Sequence, residues 1–251
     1  MPASFLNSER TLNIAHRGAS AVAPENTLTA FEKARELGAD GIELDVRLSS
    51  DWVPVVIHNA TVDATTDGSG RVAEMTIAQL KRLDAGSWFD PYFAGERIPS
   101  LEETLDAVGE TLLLNIELKG EGVLGGGLAR AVVDLIVQHG LGDRVILSSF
   151  NPLPLRRVQR ATRRIPTALL YMSARLPRVG EWVTPRRHAA LHPHRSILSE
   201  DHLRWIRRQD YRVHTWTVDD PDEMLRLIER GVNGIITNVP DVLHGVLGRA
   251  S

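Results

Sequence analysis

The chain has 251 residues, 43% of them apolar, which suffices for a sizeable core and matches one α/β barrel of roughly 250 residues. A formal charge of -3 and a pI near 6.3 exclude the basic footprint of a nucleic-acid binder, and no apolar run approaches the roughly 18 residues of a membrane span. With no cysteine, disulfides, thiol catalysis and cysteine-ligated metal are excluded; with no apolar signal-peptide core in Met1–Leu12, a cytoplasmic protein is expected.

Short apolar runs alternate with helical stretches along the whole chain. Strands are expected at Leu12–Ala15, Gly41–Val46, Val53–His58, Leu112–Leu118, Val145–Ser148, Thr167–Tyr171, Ala189–Leu191, Val213–Val218 and Gly234–Thr237. Many are apolar on both faces, as buried parallel strands are. Strands alternating with helices imply βαβ units and a parallel sheet. In the first helix Asn26 or Thr27 can cap, Leu28, Phe31, Ala34 and Leu37 recur at helical spacing, and Gly38 is the stop. A helix from Pro221 to Arg230 ends in the same way at Gly231. Nine candidate strands are one more than a barrel needs. The surplus is Val53–His58, followed over residues 59–100 by a turn cluster (Thr65 to Gly70), a short helix and the aromatic segment Trp88–Phe93. The expected fold is a single domain over residues 1–251, a TIM-type (β/α)₈ barrel with a small insertion after an early strand.

Polar residues inside the apolar strands carry the functional signal. In Gly41–Val46, Ile42, Leu44 and Val46 face one way, while Glu43 and Asp45 face the other. In Leu114–Lys119, Ile116 and Leu118 would pack under the helices, and Asn115, Glu117 and Lys119 would point inward. Three inward carboxylates repel one another. A divalent cation resolves this, and all-oxygen ligation selects a hard ion, Mg²⁺ or Ca²⁺. The alternative is a salt-bridge network with Lys119 and Arg17 as partners. Lys119 stands out further because only three of the 29 basic residues are lysine. His16 follows the first strand and His58 ends a later apolar run, so both fall at strand C-termini, where barrel enzymes keep their chemistry. Two such histidines suit an acid and a base. His192 is a reserve candidate at another strand end. Trp216, opposite in facing to Thr215, is either core or an apolar wall of the site.

In order along the chain stand His16-Arg17-Gly18, Pro24-Glu25-Asn26-Thr27, Gly41 to Val46, His58, Asp84 to Phe89, Arg97 to Leu101, Asn115 to Lys119, Ser149-Phe150, Trp216 to Val218 and Gly234 to Pro240. This ordered set resembles the glycerophosphodiester phosphodiesterase family. The resemblance implies that Glu43, Asp45 and Glu117 hold the metal, and that His16 and His58 are the acid and base. It further implies that Arg17 and Lys119 contact phosphate, and that Phe150 and Trp216 line the glycerol side. The implied reaction turns a glycerophosphodiester into glycerol 3-phosphate and an alcohol. The sequence departs from the family pattern at Asn59, where Asp is usual, and at Ala64, where Arg is usual; Asn59 keeps a hydrogen bond for His58 but no charge. Three rivals stand beside this expectation: a lysophospholipid phosphodiesterase, a zinc amidohydrolase using His192-Pro193-His194, and a catalytically silent binding protein.

Overall fold

A computed structural model describes residues 4–120, 127–173 and 187–250. The strands are β1 (Leu12–His16), β2 (Gly41–Leu48), β3 (Pro54–Val56), β4 (Leu113–Leu118), β5 (Val145–Ser149), β6 (Thr167–Tyr171), β7 (Ala190–Pro193), β8 (Arg212–Thr215) and β9 (Gly234–Thr237). The helices are α1 (Leu28–Glu36), α2 (Ile77–Leu80), α3 (Leu101–Val108), α4 (Gly127–Gln138), α5 (Pro152–Ala161), α6 (Glu200–Arg208), α7 (Pro221–Glu229) and α8 (Pro240–Ala250). The sheet runs β1-β9-β8-β7-β6-β5-β4-β2-β3, and a parallel pairing of β1 with β2 closes it into a barrel that leaves β3 outside. All pairings round the ring are parallel; β3 alone is antiparallel. Among the described residues, no helix is long and apolar enough to cross a membrane.

The period-two alternation explains the layering. Ile42, Leu44 and Val46 of β2 and Ile116 and Leu118 of β4 face outward and pack with Phe31 and Ala34 of α1 and Val132 and Ile136 of α4. A second outer cluster joins Leu169, Leu191, Val213 and Ile235 to Leu203 and Ile206 of α6 and Leu227 of α7. The inner face starts apolar at the N-terminal strand ends, where Phe5, Leu12, Ile14, Leu113, Ile146, Ala168, Ala190 and Ile236 form one cluster. Farther along the strands it turns polar, with Asn115, Ser148, His192 and His214 all fully buried. At the C-terminal ends it carries His16, Glu43, Asp45 and Glu117.

Thr27 caps α1, accepting from the Ala30 amide, and Gly38 leaves the helix at φ +80°. Gly231 does the same after α7 at φ +66°. Where the sequence pattern puts one strand from Val53 to His58, only Pro54–Val56 pairs, and against β2 rather than within the ring. An apolar run shows that a strand is buried, not which way it runs. The chain then builds a small core of its own from Val55, Ile57, Val62, Val72, Leu80, Ala85 and Ile98. The strand expected at Val213–Val218 ends at Thr215, its last partner on β9 being Ile235.

Candidate active site

The register of neighbouring strands assembles the acidic cluster. Glu43 lies opposite Asn115, and Asp45 lies opposite Glu117, across β2 and β4. His16 lies opposite Glu43 across β1 and β2. One carboxylate oxygen from each of Glu43, Asp45 and Glu117 falls within 4.8 Å of the others, and all three residues are buried. Among the described residues this is the one group of three or more carboxylate, imidazole or thiol side chains so placed. Lys119 Nζ lies 3.1 Å from Asp45 Oδ1 and 2.8 Å from Glu117 Oε1. Arg17 Nε lies 3.2 Å from Asp45 Oδ2, and its Nη1 lies 2.9 Å from Glu25 Oε1.

Two cations thus face three clustered carboxylates, and the imbalance shows in the acidities. Burial, then the charges of Asp45 and Glu117, push the Glu43 carboxyl well above its usual range. Burial and the Asp45 charge push Glu117 up to about 7. Burial acts on Asp45 in the same direction, but Lys119 and Arg17 outweigh it and hold that carboxyl below its usual value. An all-oxygen donor set in which two members resist ionisation fits a hard divalent cation, which would remove the repulsion.

The turn that carries Arg17 is unusual. Arg17 has φ 56° and Asn26 has φ 59°, in the left-handed region that side chains rarely adopt. Gly18, at φ +85°, passes so close to α1 that a Cβ there would lie 2.7 Å from Ala30. The strained turn is anchored on the acidic strand: the Arg17 amide donates to the Glu43 carbonyl at 2.8 Å, and the Asn26 amide donates to the Arg17 carbonyl at 2.9 Å. Asn26 Nδ2 then donates to Asp45 Oδ2 at 3.0 Å.

The two histidines reach the site by different routes. His16 extends β1, with Nε2 3.9 Å from Glu43 Oε2 and Nδ1 2.7 Å from Asn238 Oδ1. Burial, reinforced by the Arg17 charge, lowers its pKa. His58 sits two residues past β3, not at the end of a barrel strand. Because β3 runs back along β2 with Val56 opposite Val46, the hairpin returns His58 toward the barrel mouth. The Ile57 amide donates to the Asp45 carbonyl at 2.9 Å, fixing the chain there. Asn59 Oδ1 lies 2.9 Å from His58 Nδ1, so the uncharged residue still orients the ring. Burial lowers the His58 pKa as well, opposed by the nearby Asp45.

Phe150 and Trp216, from the ends of β5 and β8, meet edge to face with ring centroids 5.4 Å apart. The indole N–H of Trp216 donates to the His192 carbonyl at 2.9 Å, and Phe150 remains 44% exposed. Together they form an apolar wall on the mouth of the barrel. His192 itself does not reach the mouth. Its ring points into the barrel, is fully buried, and lies with Nε2 3.0 Å from His214 Nδ1. His194 instead turns to Ser196, so the His192–His194 pair converges on nothing.

This arrangement can be set beside known proteins. Residues 16–242 match the glycerophosphoryl diester phosphodiesterase family. The chain belongs to that family. It is 43% identical over 237 residues to a glycerophosphodiester phosphodiesterase of Caldanaerobacter subterraneus, covering 93% of this chain and 96% of that protein. It is 32% identical to one from Bacillus subtilis, covering 97% and 88% of the two chains. A phosphodiesterase from Oleispira antarctica, solved in complex with the product sn-glycerol-3-phosphate, superposes with a TM-score of 0.85 at 32% identity, covering 94% of this chain and 96% of that one. Membership makes the chain an enzyme of the phosphodiesterase class, on the barrel fold that this family shares.

Against the family pattern, sequence reasoning brought His16, Arg17, Glu43, Asp45, His58, Glu117 and Lys119 to one barrel mouth, and Phe150 and Trp216 to each other. Glu25, Asn26 and Asn238 stand in the ordered motifs, but sequence reasoning gave them no role in the site: Glu25 and Asn26 hold Arg17 and Asp45, and Asn238 holds His16. A signal was present for the last, because Asn238 directly follows a strand just as Arg17 and its neighbours do.

Proposed function

We propose that the chain hydrolyses glycerophosphodiesters to glycerol 3-phosphate and an alcohol. The observation that carries this is the convergence of two histidines and two cations on a buried carboxylate cluster beside an apolar wall. Glu43, Asp45 and Glu117 would hold Mg²⁺ or Ca²⁺, which when bound supplies charge stabilisation to the phosphoryl oxygens. Arg17 and Lys119 lie against the same carboxylates and present positive charge to the phosphate, Lys119 as a point charge and Arg17 as a fork. One of His16 and His58 accepts the proton of the attacking hydroxyl, and the other returns a proton to the leaving alkoxide. Burial favours the neutral imidazole in both, the form a general base needs. Phe150 and Trp216 shield the carbon skeleton of the glycerol moiety from water.

The test is turnover of purified protein on a panel of glycerophosphodiesters and lysophospholipids, with Mg²⁺ or Ca²⁺ and with EDTA. The expected result is release of glycerol 3-phosphate from glycerophosphodiesters, abolished by EDTA and restored by the cation. Preference for lysophospholipids, or activity indifferent to EDTA, refutes the proposal.

A further inference from the structure

Three consecutive members of the ring, β8, β9 and β1, each deliver one polar residue just beyond or at their C-terminal ends: Asp219, Asn238 and His16. Thr237 lies opposite Ala15 across β9 and β1, so Asn238 falls beside His16. Asn238 Oδ1 stands 2.7 Å from His16 Nδ1 and accepts from Ser20 Oγ at 2.9 Å. Asn238 Nδ2 donates to Asp219 Oδ2 at 2.7 Å. The other oxygen of Asp219 accepts from the Asn238 backbone amide at 2.8 Å and from Thr237 Oγ1 at 2.9 Å.

The chemistry of these groups leaves one arrangement. A carboxylate only accepts, so the amide must turn its NH₂ to Asp219 and its oxygen to His16. Flipping the amide would set oxygen against carboxylate. An amide oxygen also only accepts, so the ring nitrogen facing it must carry hydrogen. We propose that Asp219 and Asn238 are positioning residues that fix the tautomer of His16, so that Nδ1 keeps its proton throughout the reaction and Nε2 is the atom that exchanges one. Nε2 is the nitrogen turned toward Glu43, at 3.9 Å. The proton balance closes on that atom alone: Nε2 gains one proton or gives one up, and the Nδ1–H bond neither breaks nor forms. The catalytic meaning of the relay rests on the proposal above that His16 transfers a proton; the tautomer itself does not. In a serine-protease triad, where a carboxylate sets a histidine tautomer, the wrong tautomer costs about 10⁴-fold in kcat.

Long-range ¹H–¹⁵N spectra of the ring nitrogens, recorded with Mg²⁺ present, test this directly. The His16 signals are assigned by their loss in His16→Gln. The wild-type ring is expected as Nδ1–H. In Asp219→Asn the amide of Asn238 is free to flip, and in Asn238→Ala the acceptor is gone. Both should show a mixed tautomer and a kcat at least about tenfold lower, with KM within about twofold. The double swap Asp219→Asn with Asn238→Asp keeps an acceptor oxygen toward His16 and an NH₂ donor between the two side chains, so it should restore Nδ1–H and much of the turnover lost in Asn238→Ala. A wild-type ring in the Nε2–H form overturns the relay, even if no variant folds. Retention of Nδ1–H with unchanged kcat in both Asp219→Asn and Asn238→Ala also overturns it. Wild-type turnover in His16→Gln would instead remove the proton-transfer role while the ring spectra still report the tautomer, so the two failures are separable.

Discussion

Glu117→Gln should stabilise the protein when divalent cations are chelated and lose that advantage when they are added. The reasoning starts from the Glu117 carboxyl, held at about 7 by burial and the Asp45 charge instead of at 4.5. Below pH 4.5 the folded and unfolded states both hold the proton, and the shift contributes nothing. Between 4.5 and 7 the folded state keeps a proton that the unfolded state has released, so stability falls as pH rises. Above 7 the full cost is present, roughly 3 kcal/mol for a displacement of this size. An amide cannot ionise and escapes that cost, while its oxygen still accepts from Lys119 Nζ, which stands 2.8 Å from Glu117 Oε1. In EDTA at pH 8 the variant should therefore melt higher, by up to roughly 6–12 °C for a chain of this length. At pH 4.5 the two should coincide. Adding Mg²⁺ or Ca²⁺ to about 100 times its dissociation constant stabilises wild type by about 2.7 kcal/mol and the variant by less, so the gap closes or inverts. Calorimetric melts at both pH values, with EDTA and with cation, read all of this. A variant that melts well below wild type in EDTA at pH 8 would mean that Lys119 and Arg17 already satisfy the cluster. Equal stabilisation of both proteins by the cation would remove Glu117 from the metal site.

The same geometry sets two further expectations. His16→Ala and His58→Ala should each lower kcat by about 10²–10⁴-fold with the melting temperature little changed, and near-normal turnover in either would remove that residue from proton transfer. Lys119→Met should weaken both substrate use and inhibition by inorganic phosphate; phosphate inhibition at the wild-type level would make Lys119 a partner of Asp45 and Glu117 and nothing more.

Much of the site was legible because alternation along a strand is a strict rule. Glu43 and Asp45, two residues apart, must share a face, and Ile116 and Leu118 had to turn Glu117 the other way. What alternation does not encode is the direction of a strand or its partner. Val53–His58 is recognisable as the strand that a barrel of eight does not need, but not as a short antiparallel partner of β2. His192 was weighed as a strand-end residue, yet it shares a face with Ala190, which is part of the barrel's apolar interior, so it is buried against His214. Asn26 reads from the sequence as a candidate helix cap, whereas Thr27 caps and Asn26 holds Asp45 from a left-handed backbone that the sequence does not announce. Asp219 and Asn238 lie 19 residues apart and meet only because β8 and β9 are neighbours in the closed sheet.

The β2–β3 hairpin divides the site between two units of different robustness. His16 belongs to a strand paired on both sides within the closed ring. His58 hangs from three paired residues at the margin of the sheet and from a small satellite core. Fraying of that margin needs far less free energy than opening the ring. Heat or denaturant should then silence the enzyme before the barrel opens, by withdrawing one histidine while the other stays in place. A slip of one residue along β2 would do the same permanently, because it turns the hairpin's whole inward face outward.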